Sequence, residues 1–135
     1  MLAEERKIAA IERIKDLIPL QRKLSSVFPE DTYNVFVFGS YPTVRYKYGE
    51  SDVDIAVYAD NVEEYIRISV IIEDFFEEKG ILLDLFFVDI RNPSPIYLAP
   101  LHSQIQFTDY YPEELTRFEQ ECENTLAQVK RGMAV

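Results

Sequence analysis

Residues 35–38 read Val-Phe-Val-Phe, a short run with no polar face. A strand apolar on both faces belongs in the middle of a sheet, because each face must be covered by something else. Two further strands are expected on the same grounds: Asp52 to Ala59 (DVDIAVYA), and Ile81 to Ile90 (ILLDLFFVDI), which is almost continuously apolar. Between them Asn61, with Glu64 three residues on, forms a capping box for a helix. Tyr65, Ile68, Ile72, Phe75 and Phe76 give that helix an apolar face, and Gly80 after Lys79 suits its end. An amphipathic helix is expected over 2–26, with Ile8, Ile11, Leu17, Ile18 and Leu24 recurring near a 3.6-residue period. Pro29 and the turn-forming Asp31 break it. Pro112 opens a last helix with Leu115, Phe118, Cys122, Leu126 and Val129 on one face and Gly132 past its end. Residues 96–108 fit either a short helix or a strand. These elements describe an α+β fold over 1–135, a single domain with a mixed sheet of three or more strands and helices packed on it.

The composition narrows the function. Hydrophobic residues make up 47% of the 135, enough for a core. Lys and Arg number 14 against 24 Asp and Glu, a net charge of −10. That balance argues against holding DNA or RNA, for which basic surface supplies most of the affinity. It permits a basic protein partner. One cysteine, Cys122, excludes an internal disulfide and a cysteine zinc site. One histidine, His102, excludes a site built on several histidines. No apolar run approaches a membrane span and no signal-peptide core opens the chain, so a cytoplasmic protein is expected.

Three aspartates carry the chemistry. Strand side chains alternate faces, so Asp52 and Asp54 point the same way. Two carboxylates that close repel unless a cation neutralises them, and Mg²⁺ favours one or two carboxylates together with substrate phosphate oxygens. Asp84 interrupts an apolar strand, where an unpaired buried charge would be costly; on an edge strand it would instead be partly exposed. If the third strand lies beside the second, Asp84 joins the pair, and three carboxylates around two cations suit in-line phosphoryl or nucleotidyl transfer. Asp89, five residues on, points to the opposite face and is the weaker candidate. Gly39 lets backbone approach a ligand closely. Ser40 reads as the N-cap of a short helix with Pro42 in its first turn, and such a helix start binds phosphate. His102 reads as a surface or loop residue and Cys122 as core. The Tyr41, Tyr46 and Tyr48 cluster fits base stacking or packing equally well.

The pattern Gly39-Ser40, then Ser51-Asp52-Val53-Asp54, then Asp84 resembles the nucleotidyltransferases of the DNA polymerase β superfamily. The short chain is similar to the minimal nucleotidyltransferases (MNT), many of them antitoxins paired with HEPN-domain toxins. The resemblance covers about residues 30–90, with the flanking helices fitting loosely. It implies that Gly39 and Ser40 hold a triphosphate and that Asp52 and Asp54 bind both Mg²⁺ ions. Asp84 would complete one metal site and help deprotonate the attacking hydroxyl. It also implies transfer of a nucleoside monophosphate, AMP from ATP, to a hydroxyl, which in such antitoxins is a tyrosine of the toxin. Eleven residues separate Ser40 from Asp52, one more than the family usually has. Thr43 stands where an arginine is expected, Arg45 follows two positions later, and Lys47 is a further candidate for the phosphates. A chain of this size leaves little for an acceptor-binding domain, so a second copy or a partner protein is expected to present the acceptor. Two rivals stay open: an inactive antitoxin that works by contact, and a homodimeric nucleotidyltransferase acting on a small molecule such as an antibiotic.

Overall fold

A computed structural model describes residues 3–30 and 32–133, with the side chains of 11–30 and 32–132. Among these residues one sheet of four strands carries the fold, in the order β3-β2-β1-β4. The strands are β1 (Tyr33–Phe38), β2 (Val53–Ala59), β3 (Leu83–Phe87) and β4 (Ile105–Phe107). Strand β1 runs antiparallel to both β2 and β4, whereas β2 and β3 are parallel. The sheet is therefore mixed, as the sequence leads one to expect, and Val35, Phe36 and Val37 lie in its centre with no exposure. A parallel pair cannot be joined by a hairpin. Helix α2 (Val62–Glu78) makes the crossover.

Alternation along the strands divides the core in two. Val35, Val37, Ile55, Val57, Ile105 and Phe107 face α2 and the second half of α1 (Ala3–Val27). Phe36, Ala56 and Tyr58 face Tyr97, Leu101 and helix α4 (Glu113–Met133), where Leu115, Phe118 and Cys122 are buried. Cys122 is thus core, and burial raises its thiol pKa.

Half of the expected capping box forms, the Glu64 carboxylate instead accepting from Thr32 Oγ1 at 3.1 Å. Asn61 Oδ1 accepts from the Glu64 backbone N–H at 2.8 Å. At the other end of α2, Lys79 is the C-cap and Gly80 follows at φ +65°. Residues 96–108 satisfy both readings, with a 3-10 turn at Pro95–Tyr97, a short α3 (Leu98–Leu101) and then β4.

Several boundaries move. Strand β3 is shorter than Ile81–Ile90, because its partner β2 pairs with it only over Val53–Val57. Beyond that, Asp89 folds 89–92 into a turn by accepting from the Arg91 backbone N–H at 3.0 Å. Gly132 lies inside α4 rather than past it. A glycine costs a helix only about 1 kcal/mol, and Lys130 and Arg131 suit the negative end of its dipole. Val129 is exposed rather than buried. Among the described side chains of α1, Leu17, Leu20 and Leu24 are buried while Ile11 stays exposed. Asp31 and the Ile8 side chain lie outside the described residues.

Candidate functional site

Sheet register sets the heart of the site. Asp54 lies directly opposite Phe38 of β1 on one side and Asp84 of β3 on the other. Neighbouring strands run about 4.8 Å apart, so the two carboxylates start from adjacent backbones and project from the same face. Asp52 stands one residue before β2, two before Asp54, and is exposed. Phe38 and Phe86 meet edge to face beside them, with ring centroids 5.8 Å apart.

Asp54 is half-buried, and its pKa is raised, first by desolvation, then by the charges of Asp84 and Asp52. Of the two readings of Asp84, the edge one holds: it is exposed, because β3 is an edge strand and this face of it opens to solvent. Its position beside Asp54, not burial of its charge, makes it part of the group.

Gly39 ends β1 at φ +74°, a conformation other residues rarely adopt. A Cβ there would sit 2.1 Å from Asp54 Oδ2. The glycine is therefore what leaves room for the Asp54 carboxylate.

The helix expected after Ser40 does not form. Residues 39–52 are a chain of turns. The Ser40 carbonyl accepts from the Thr43 N–H at 2.9 Å and from Thr43 Oγ1 at 2.7 Å. Thr43 Oγ1 in turn accepts from the Arg45 N–H at 3.0 Å. Side-chain bonds of this kind compete with helix, and Gly49 at φ +82° turns the chain again. The phosphate cradle inferred from a helix N-terminus is therefore absent. Gly39 is exposed, Ser40 partly so, and the Arg45 and Lys47 side chains project from the loop into solvent.

Tyr41 and Tyr46 pack rather than stand open. Their rings meet edge to face at 4.9 Å, and the Arg13 guanidinium lies 5.3 Å from each ring. Burial pushes the Tyr41 hydroxyl up to about 12. Arg13 Nε also donates to the Tyr41 carbonyl at 3.2 Å, pinning the loop to α1. No sequence pattern announces that contact, which joins residues 28 positions apart. Tyr48 is exposed and donates from its hydroxyl to the Lys79 carbonyl at 2.8 Å.

Asp89 is occupied elsewhere. Hydrogen bonds from the Arg91 side chain and backbone and from Asn92 hold its carboxyl at about 2. His102 caps α3 at the surface, with Nε2 2.8 Å from Glu119 Oε1 and 3.8 Å from Glu123 Oε1. Among the described residues these three are the one group of potential ligands whose atoms all lie within 4.8 Å of one another. The oxygens of Asp52, Asp54 and Asp84 are spread wider, as like charges on one face would be.

The donor set nevertheless fits a hard divalent cation. It is all oxygen, it is negative, and Gly39 lets the Asp54 carboxylate lie close against the backbone at the end of β1.

The sequence matches the family model of the nucleotidyltransferase domain over residues 17–121. That span takes in both strands that carry the aspartates, and the chain belongs to the nucleotidyltransferase domain family. Membership supports transferase activity. No curated protein matches the chain. A solved structure of a mutant MntA-HpeT toxin–antitoxin is similar, at 16% identity and TM-score 0.48, covering 84% of this chain and 89% of that one. At that distance it bears on neither the activity nor the partners of this chain. No helix among the described residues is long and apolar enough to cross a membrane.

Proposed function

We propose that this chain is a Mg²⁺-dependent nucleotidyltransferase that moves AMP from ATP to a hydroxyl of a protein partner in the cytoplasm. The partner fitting the minimal-nucleotidyltransferase resemblance is a HEPN-type toxin, silenced by the transfer. One observation carries the reading: Asp54 and Asp84 stand side by side on parallel strands, with Gly39 against the Asp54 carboxylate.

Asp52, Asp54 and Asp84 would hold two Mg²⁺ ions, which when bound supply Lewis-acid stabilisation of the charge on the transferring phosphate. Gly39 and the Ser40 hydroxyl would meet the triphosphate, and Arg45 and Lys47 could swing onto it from the loop. The acceptor oxygen forms a bond to the α-phosphorus as the bond from that phosphorus to the bridging oxygen of the β-phosphate breaks. The bonding electrons leave with pyrophosphate. Asp84, exposed beside Asp54, would also take the acceptor proton.

The loop supports a second reading. Thr43 replaces the expected arginine and no helix follows Ser40, which weakens the grip on a triphosphate. A chain of that kind would neutralise its partner by contact alone. Incubation with labelled ATP and Mg²⁺, with and without the protein encoded beside it, followed by intact-mass measurement, separates the two. AMP added to the partner and lost on Asp54→Ala supports transfer. Tight binding without added mass supports contact alone.

A further inference from the structure

Strand β3 is the free edge of the sheet: β2 flanks one side, and among the described residues nothing pairs with the other. Its five residues, Leu-Asp-Leu-Phe-Phe, hold neither lysine nor proline, and the one charge on the edge is Asp84 itself. All five residues are at least partly exposed. Beside it runs a groove of about 680 Å³, walled by Glu73, Phe76 and Glu77 of α2 and by Leu83 and Leu85 of the strand. Leu83 and Leu85 turn toward α2, while Asp84 between them turns to the opposite face, beside Asp54.

We infer that this edge is where the acceptor protein docks, adding an extended segment as a fifth strand and setting its hydroxyl residue opposite Asp84. The hydroxyl's role rests on the transfer reading; the docking does not. A strand laid against β3 satisfies backbone groups that otherwise face water, and its side chains alternate between the two faces. Side chains toward α2 meet the partly exposed Leu83 and Leu85 and should be apolar. The one directly opposite Asp84 has its Cβ about 5 Å from that of the aspartate and shares its face. Glu73 and Glu77 are exposed and, with Asp84, make the approach acidic, on a chain of net charge −10. The segment should therefore carry lysine or arginine at its flanks. A second copy of this chain would bring the same acidic set against itself, so charge favours a basic partner over self-pairing.

The test uses the full chain and a displayed library of random twelve-residue peptides, with no nucleotide present. Selected peptides are expected to alternate apolar and hydroxyl residues between basic flanks. They should slow amide exchange of Leu83–Phe87 by at least about tenfold. N-methylation of alternate amides in the peptide, which removes the strand's donors without touching the protein, should weaken binding at least about tenfold. Paired Glu73→Lys and Glu77→Lys changes, both on exposed positions, should weaken it and flatten its salt dependence. The inference is overturned if no peptide protects β3, if N-methylation leaves affinity unchanged, or if the free chain is a dimer with these amides already protected. Loss of AMP transfer in the separate mass assay, with peptide binding intact, would instead sink the transfer reading alone.

Discussion

Replacing Gly39 with alanine separates two penalties that the structure lets one count apart. The first is backbone. Gly39 sits at φ +74°, and holding an L-residue in the left-handed region costs about 1–2 kcal/mol. For a chain of this size that corresponds to a fall in Tm of roughly 3–10 °C. The second is steric. The new Cβ would lie 2.1 Å from Asp54 Oδ2, 3.0 Å from its Cγ and 3.3 Å from its Cβ. The carboxylate must retreat by about 1 Å, and a misplacement of that size can cost about a hundredfold in rate. Asp54 cannot retreat by moving its backbone, because β2 is paired on both sides at that residue. Gly49 provides the control: it has φ +82° with nothing within 4 Å of an added Cβ. Gly49→Ala should lose similar stability in urea denaturation yet keep Mg²⁺ affinity by calorimetric titration. Gly39→Ala should lose stability, metal affinity and AMP transfer together. Equal metal affinity in the two variants would refute the idea that Gly39 makes room for a metal-holding carboxylate.

Other outcomes follow from the same geometry. Asp54 has a raised pKa in the folded chain, so the native state binds more protons than the unfolded one just above the ordinary carboxylate range, and stability falls as pH rises through that window. In chelator at neutral pH Asp54→Asn should therefore raise Tm while abolishing transfer, and Mg²⁺ should stabilise the parent but not the variant. Asp84→Ala, at an exposed edge position, should change stability by less than about 0.5 kcal/mol and lower the transfer rate by about a hundredfold or more, measured at saturating ATP. Arg13→Ala removes a cation lying over two tyrosine rings and a bond to the Tyr41 carbonyl, costing about 1–2 kcal/mol; amide exchange should quicken in residues 41–51. Phe118→Ala empties a buried site between α4 and the sheet and should cost about 3–5 kcal/mol by urea denaturation.

Much of the frame can be read from residue patterns because it follows from local periodicity. Val35–Phe38 and Asp52–Ala59 announce strands, and Asn61 with Glu64 announces α2. Asp84 beside Asp54 needs only the guess that β2 and β3 are neighbours. What escapes the sequence is settled by competition or by distance. Ser40 and Pro42 read as a helix start, but Thr43 bonds back to Ser40 and forward to Arg45, and turns win. Gly132 reads as a stop, but one glycine is too weak to end α4. Whether Asp84 is buried or exposed waits on the strand order, which places β3 at the edge. The grip of Arg13 on Tyr41 and Tyr46 depends on the packing of α1 against the loop, which no spacing encodes.

The row Phe38, Asp54, Asp84 also guards the fold that presents it. Sliding β2 or β3 by one residue would turn its aspartate into the apolar layer under α1 and α2 and push Ile55 or Leu85 outward. A carboxylate forced into that layer is far less tolerable than a mispaired methyl group. The charges proposed to hold the metal thus act as proofreaders of strand register, and a sheet assembled out of step would be rejected before it could present an inactive surface to a partner.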